Sequence, residues 1–192
     1  METREYQTTD KSSWGFGPWQ DEPDKRQWRD ETTGLACLIV RNPKWGNLCG
    51  YVGVPPSHPG HAKAYNFYRD DEAPHSAVEN AINNLRVHGG LTFADGCSHG
   101  SDESRGVCHV PSFGEPDDVW WFGFDCAHAW DLLPGIEPRY RDPLDAANVY
   151  RDVDCVTSEC ASLAYQLSVI DALNDVYQAA VIAITTDAGD EV

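Results

Sequence analysis

The stretch "LACLIVRNPKWGNLCGYVGV", residues 35–54, decides the fold class. It contains two apolar runs, at 35–41 and 48–54, and the turn-forming sequence "NPKWGN" separates them. Short apolar runs bounded by turn residues are typical of buried strands, and a short connection between two such strands favours antiparallel pairing. The sequence therefore predicts a β-hairpin here.

The segments after this hairpin predict two helices and further strands. In "SAVENAINNL" (76–85), a serine and a glutamate have the spacing of a capping box that begins a helix. Apolar residues repeat at intervals of three and four between Asp152 and about Leu173, which indicates a longer amphipathic helix. The other predicted strands are "VCHV" (107–110) and "VWWFGFDCAH" (119–128). We therefore predict an α+β fold, in which a mainly antiparallel sheet is covered by a long C-terminal amphipathic helix and a shorter helix.

The length and composition predict one globular domain. The chain has 192 residues, of which 41% are hydrophobic, and this is enough for a single core. Residues 1–13 are polar and are predicted to be a disordered tail. Residues 14–175 are expected to form the globular α+β domain, beginning with an ordered loop at 14–34 that packs over the core. The acidic tail, 176–192, either extends the helix or frays.

The charge balance argues against general nucleic-acid binding. Acidic residues outnumber basic residues by 31 to 14, which gives a net charge of −17 and repels phosphate backbones. The simplest role of this charge is solubility, although an acidic surface could also engage a basic partner protein. The chain has neither the apolar core of a signal peptide nor the ~20 apolar residues of a membrane span, so we expect a cytoplasmic protein with no membrane partner.

Seven cysteines are an odd number for a disulfide framework, so buried thiols, metal ligands or a nucleophile are the better interpretations. Reactive polar residues gather in one third of the chain, with predicted strands between them. Strand pairing could therefore bring several of them to one end of the sheet. They are His88, Cys97, His99, Cys108, His109, Asp125, Cys126, His128 and Asp131.

The densest group of these residues is "DCAHAWD" (125–131), just past a predicted buried strand. If the chain turns into a helix there, Asp125, His128 and Asp131 lie near one face, and His88 could complete a divalent-metal site for zinc, manganese or magnesium. The metal ligands would then be Asp125, His128 and His88, with His88 and Asp131 also serving catalysis. This set favours a metal-dependent hydrolase that activates a bound water. The alternative is that the aspartates cap turns and that His128 binds backbone.

A structural zinc site is a second interpretation of the same region. Cys97, Cys108, His109 and either Cys126 or His128 are the residue types that a tetrahedral zinc site needs. Their spacing lacks the compact CxxC pairs that are diagnostic of zinc knuckles.

Nucleophilic cysteine catalysis is a third interpretation. Cys126 or Cys108 would be the thiolate, and His88 or His128 the base. Cysteine is also among the residues most often fully buried, so packing is the competing explanation. The chain contains no phosphate-binding loop, dinucleotide fingerprint, nucleophile elbow or HExxH motif.

The segment "VHGGLTF" (87–93) places His88 directly before two glycines. Gly89 and Gly90 would let the backbone approach a substrate closely, while the imidazole accepts or donates a proton. The alternative is a strand bulge, with His88 satisfying a buried carbonyl. Tryptophans, among them Trp121, could add a stacking surface for the substrate, although large aromatic side chains are more often part of a core.

Several longer motifs resemble a family of uncharacterised small proteins common in bacteriophages and actinobacteria. The motifs are "WGFGPWQDEPDKRQWRD", "GLACLIVRNP", "LCGYVGVPPSHPGH", "VHGGLTF", "VCHVP" and "VWWFGFDCAHAWDLLPG", and the resemblance covers about residues 14–170. It implies a phage or prophage origin, and hence the host cytoplasm as the location. It also draws attention to His58, which either contacts substrate at the same site or is an ordinary loop residue.

Three functions follow from these observations. The first is a metal-assisted hydrolase acting on a small phosphorylated or nucleotide-like molecule, with a phage counter-defence role. The second is a phage-encoded binding protein without turnover that sequesters a host signalling molecule or blocks a host protein through its acidic surface. The third is a structural protein whose histidines and cysteines bind zinc or fill the core.

Overall fold

A computed structural model describes residues 1–65, 76–97, 102–115, 117–136 and 147–187, with side chains described as far as residue 179. Part of the segment between the predicted hairpin and the capping box lies outside these residues, and so does His99. The described elements are six strands, two α-helices and a short 3-10 helix at Pro18–Gln20. The strands and α-helices are β1 (Arg4–Tyr6), β2 (Lys25–Arg29), β3 (Ala36–Arg41), β4 (Leu48–Val54), α1 (Ala77–Asn83), β5 (Phe93–Gly96), β6 (Trp120–Asp125) and α2 (Val153–Asp187).

The strands form one sheet in the order β1-β2-β3-β4-β6-β5, and each neighbouring pair is antiparallel. The predicted hairpin is confirmed, because β3 pairs with β4 along its whole length. Helix α2 packs on one face of the sheet and contacts α1, so the predicted α+β fold is also confirmed.

The core has one layer on each face of the sheet, because successive side chains of a strand point to opposite faces. On the helix face, Gly50 lets α2 come close, since a Cβ atom there would lie 2.8 Å from Cys160 Sγ. The two layers divide the apolar side chains between them. The helix-face layer includes Cys37, Ile39, Val52, Phe122, Phe124, Val156, Cys160, Leu163 and Leu167. The opposite layer includes Ala36, Leu38, Tyr51, Val107, Val119 and Trp121.

Strands β1 and β2 differ from the sequence prediction. Residues 1–13 were expected to be disordered, yet β1 forms an edge strand on β2. Strand β2 lies inside the stretch expected to be a loop. Two of its three buried positions carry polar side chains, and only Trp28 is apolar. Lys25 and Gln27 are both 1% exposed and bind carbonyl groups of loops that cover this face. An apolar pattern therefore does not mark this strand.

Helix α1 begins as predicted, with both hydrogen bonds of the capping box formed between Ser76 and Glu79.

The predicted strand at 107–110 is wrong, because these residues pair with no described strand. The Gln27 side chain instead bonds both the backbone N–H and the carbonyl group of Val110. The predicted helix at 125–131 is a turn, in which Asp131 N donates to His128 O. Within the described chain, no helix is both long and apolar enough to cross a membrane.

Candidate functional site

The pairing of β5 with β6 brings two distant parts of the sequence together. Because the two strands are antiparallel, residues that precede β5 and residues that follow β6 meet at the same end of the pair. His88 precedes β5, and both His128 and Asp131 follow β6. We call His88, His128 and Asp131 the histidine cluster. Their potential ligand atoms all lie within 4.8 Å of one another.

A tight turn, rather than a strand bulge, presents His88. Gly90 N donates to Val87 O at 3.0 Å, and Gly89 and Gly90 have φ angles of +67° and +87°. These angles lie in the left-handed region that glycine adopts without steric cost. The backbone N–H of His88 donates to Glu159 Oε2 on α2 at 3.0 Å, so the helix anchors the turn.

Asp131 is the centre of the histidine cluster. Its side chain is fully buried, and Oδ2 accepts from His88 Nε2 at 2.7 Å and from His128 N at 3.0 Å. Oδ1 accepts from Arg151 Nε at 3.0 Å. Burial alone would raise the pKa of Asp131, but the hydrogen bonds from His88 and Arg151 outweigh it and bring the pKa below its usual value. Asp131 is therefore a carboxylate at neutral pH.

His128 stacks edge-on against His88, with ring centroids 5.5 Å apart. Its Nδ1 atom is buried and forms no hydrogen bond with any described residue. The nearest carboxylate oxygens, on Asp125 and Asp131, are each 3.8 Å away. Buried polar atoms in proteins are almost always paired, so this nitrogen is a position where a further group would fit.

The two glycines have different roles. A Cβ atom on Gly89 would lie 2.0 Å from His128 Cε1, so only glycine lets the His128 ring pack here. A Cβ atom on Gly90 would meet nothing within 4 Å. Gly90 therefore borders open space, as the predicted substrate contact requires, whereas Gly89 shapes the cluster itself.

Asp125 contributes less than the sequence suggested. Its Oδ1 accepts from Ala127 N at 2.9 Å and approaches His128 Nδ1. It is not among the residues whose ligand atoms converge, because the chain turns instead of continuing as a helix. Asp131 takes the carboxylate position that was assigned to Asp125.

Three other predicted site residues lie inside the protein. Cys126 is 2% exposed, and burial raises the pKa of its thiol well above the usual range, which is unsuitable for a nucleophile. His58 is 4% exposed: Nδ1 accepts from Gly60 N and Nε2 bonds Leu167 O, so it ties its loop to α2. Trp121 is fully buried and has no face open to a substrate.

Sequence reasoning missed Arg151 and Glu159, which hold Asp131 and His88 in place. Arg151 lies beside Asp131 because Asp131 forms a parallel bridge with Val149. The sequence did contain a weak signal, since Arg151 is the last basic residue of the chain and stands directly before a strongly acidic helix. Glu159 has no distinguishing mark among the other acidic residues.

The structure brings together only three of the predicted structural zinc ligands. Cys97, Cys108 and His109 converge with Asp117, which was not predicted. Cys126 lies in the core layer on the opposite face of the sheet, and His128 belongs to the histidine cluster. We call Cys97, Cys108, His109 and Asp117 the cysteine cluster.

Two cavities lie away from the histidine cluster. A groove of about 450 Å³ separates α1 from α2, and a smaller cavity of about 180 Å³ lies beside Asp24. Neither is lined by a residue of the histidine cluster.

Comparisons with known proteins assign no family. The resemblance to phage and actinobacterial proteins therefore stays a prediction. Neither protein-family models nor curated proteins nor solved structures gave a match to this chain.

Proposed function

We propose that the protein is a metal-assisted hydrolase whose divalent cation binds at the histidine cluster. The observation that carries this proposal is the convergence of two imidazoles and one ionised carboxylate within 4.8 Å, with the Nδ1 atom of His128 buried and unpaired by any described residue. Two histidines and a carboxylate are a common ligand set for zinc, manganese and iron.

The surroundings of the cluster suit a cation. Asp125 and Glu159 add negative charge next to the histidines. Arg151 holds Oδ1 of Asp131, which leaves Oδ2 facing the two rings. Such outer contacts orient ligands in metal sites. Three protein ligands leave further coordination positions open to water and substrate.

The chemistry follows from the open positions. A bound divalent cation lowers the pKa of a coordinated water and polarises the oxygen of the substrate. Asp125, whose side chain is 32% exposed, would accept the proton of this water. The hydroxide oxygen then bonds to phosphorus, the bond from phosphorus to the leaving oxygen breaks, and the leaving oxygen takes a proton from solvent.

A small phosphorylated or nucleotide-like molecule is the substrate class we propose. Arg151 places a guanidinium with a side chain 30% exposed at the edge of the cluster. A guanidinium beside a divalent cation favours a phosphoryl group, whose charge both can neutralise. The rest of the protein is acidic, so a long nucleic acid would be repelled.

The test combines elemental analysis with turnover. The full chain is loaded with Zn²⁺, Mn²⁺ or Mg²⁺ and assayed on p-nitrophenyl phosphate and bis(p-nitrophenyl) phosphate. We expect hydrolysis that a chelator abolishes. His128→Gln should lose both turnover and one metal equivalent while keeping the far-ultraviolet circular dichroism of the wild type.

The matched control is His61→Ala. His61 is another histidine with a largely buried side chain, away from the cluster. Its Nε2 atom is also buried without a hydrogen bond to any described residue, and it lies 3.5 Å from Asp118 Oδ1. This variant should keep full turnover and metal content. A wild-type protein that binds the metal but hydrolyses neither ester would contradict the hydrolase, and equal metal content in His128→Gln would contradict the metal site.

Binding without turnover is the second candidate function, and the groove between α1 and α2 favours it. The groove is lined mainly by apolar groups, and Leu173 and Tyr177 beside it are each 65% exposed. An exposed apolar groove of this kind is typical of a binding surface. An apolar fluorescent dye should bind the wild type and lose most of its signal in Leu173→Asp, whereas an unchanged signal would reject the groove as the binding surface.

A further inference from the structure

We infer that the cysteine cluster is a structural zinc site, separate from the proposed catalytic cation. It lies at the other end of the β5–β6 pair. Cys97 follows β5, Asp117 precedes β6, and Cys108 and His109 come from the loop between them. One ligand atom of each residue lies within 4.8 Å of the others. Two sulfurs, one imidazole and one carboxylate are all established zinc ligand types.

His109 provides an independent sign of a missing partner. The residue is 7% exposed, and its Nδ1 atom is buried without a hydrogen bond to any group in the described part of the chain. A buried ring nitrogen left unpaired costs free energy, and a metal bond would remove this cost.

Trp121 positions two of the four ligands. Its indole N–H donates to Cys97 Sγ at 3.3 Å, a contact that would orient this sulfur in a metal site. Its ring also packs edge-on against His109 at 5.5 Å between centroids. Because Trp121 is fully buried, these contacts hold the ligands in fixed positions.

Lys25 supplies a charge that this site would balance. Its Nζ atom donates to the carbonyls of Glu103 and Cys108, both at 2.7 Å, and more weakly to that of Arg105. Lys25 is 1% exposed, and no carboxylate in the described ranges forms an ion pair with it. Zinc with two thiolates and one carboxylate carries a single negative charge, which offsets one buried ammonium.

The ligand count indicates structure rather than catalysis. Four protein ligands complete a tetrahedral zinc site and leave no position for substrate. The site would bind the segment from Cys97 to Asp117 to the sheet, where Lys25 and Gln27 already hold its backbone. Loops of this length gain stability when a metal closes them.

The first experiment loads the full chain, under reducing conditions, with Co²⁺ as a spectroscopic substitute for zinc. We expect a thiolate-to-cobalt charge-transfer absorption in the near ultraviolet. Cys108→Ser should lose at least about half of this absorption, because one of the two sulfur ligands is removed. Cys155→Ser is the matched control, because Cys155 is a partly buried cysteine on α2 outside both clusters, and it should keep the absorption.

The two proposed sites are tested separately by the same variants. His128→Gln should keep the thiolate absorption, and Cys108→Ser should keep the second metal equivalent. Absence of the thiolate absorption in the wild type, or an undiminished absorption in Cys108→Ser, would overturn the structural site whatever the result for hydrolysis. If Cys108→Ser does not fold, Asp117→Asn serves instead, and we expect its zinc affinity to fall at least ~10-fold.

Alkylation distinguishes zinc binding from a disulfide between Cys97 and Cys108. Zinc should protect both thiols from iodoacetamide, and adding a chelator alone should expose them. Protection that survives the chelator and disappears only with a reductant would show a disulfide and reject the zinc site.

Discussion

His88 Nε2 and Asp131 Oδ2 are 2.7 Å apart, although 43 residues of sequence separate them. The Asp131 carboxylate is fully buried, whereas the His88 imidazole is partly exposed. The buried carboxylate therefore fixes the position of an imidazole that solvent can reach. A base held by a buried carboxylate is a common arrangement in catalytic sites, and it is equally suitable for holding a metal ligand.

Asp131→Asn should remove metal binding and turnover together. The amide keeps the shape of the side chain but loses the negative charge that pairs with Arg151 and attracts the cation. Replacing an outer partner of a metal ligand costs ~10–100-fold in affinity, so loss of a direct ligand should cost at least as much. Isothermal titration with Mn²⁺ measures the change. Unchanged affinity would show that Asp131 only supports His88.

Gly89→Ala and Gly90→Ala form a matched pair. Both glycines have positive φ, so both alanines should cost about 1–2 kcal/mol of stability. Only the alanine at position 89 collides with the His128 ring. We therefore expect Gly89→Ala to weaken metal binding and Gly90→Ala to leave it intact, as measured by titration at matched folded fraction. Equal losses of metal affinity in the two variants would mean that the position of the His128 ring does not depend on its packing against Gly89.

Asp24→Asn should strongly destabilise the fold. Asp24 is 2% exposed and bonds Lys11 Nζ and Arg41 Nε at 2.9 Å and the backbone N–H groups of Thr8 and Thr9 at 2.7 Å. Removing one partner of a buried ion pair leaves the other charge uncompensated, at a cost of about 3–5 kcal/mol. Urea unfolding at pH 7 measures this. Glu5→Gln, in the exposed pair with Arg26, is the control and should change stability by less than ~1 kcal/mol.

The same carboxylate predicts how stability depends on pH. Burial on its own raises the pKa of Asp24, but hydrogen bonds from Lys11, Thr8 and Thr9 bring the net pKa below its ordinary value. The unfolded chain therefore binds this proton more readily than the folded protein. The contribution of Asp24 is present above the unfolded pKa of about 3.9 and is lost as pH falls through the lower folded pKa. The free energy of unfolding of Asp24→Asn should therefore fall less steeply with decreasing pH, in the acid range, than that of the wild type.

Gln27→Leu should release the loop that carries Cys108 and His109. The Gln27 amide bonds both Val110 N and Val110 O, and it is buried, so the loss should cost about 1–3 kcal/mol. Gln166 forms the same two hydrogen bonds with the backbone of Arg86, but on the surface. Gln166→Leu should therefore reduce the free energy of unfolding by less than ~0.5 kcal/mol. Hydrogen exchange at Val110 should quicken in the first variant alone. Slow exchange there would contradict an anchoring role for Gln27.

Apolar patterns predicted the parts of the fold that apolar burial stabilises. The hairpin at 35–54, the capping box at Ser76 and the stripe of α2 all follow from local rules, and the structure has all three. Strand β2 was missed because its inward positions hold Lys25 and Gln27. A buried polar side chain is recognisable only when its partner is known, and here the partners lie about 80 residues away.

The candidate sites were predictable in residue type but not in pairing. His88, His128 and Asp131 were all identified from the sequence, whereas Asp125, the third predicted ligand, lies beside this group and not within it. Two unpredicted residues, Arg151 beside the histidine cluster and Asp117 within the cysteine cluster, reach these positions through a parallel bridge and through strand register. Neither of these can be read from composition or spacing.

The β5–β6 pair has a thermodynamic consequence for the two clusters at its ends. Its register, in which Phe93 faces Gly123 and Gly96 faces Trp120, sets which residues meet at each end. A shift by one residue would turn Trp121 to the other face and misalign both ligand sets. An ion bound at either end therefore favours the same pairing. By linkage, an ion at one proposed site would raise the affinity for an ion at the other only through molecules in which this pairing is not yet formed.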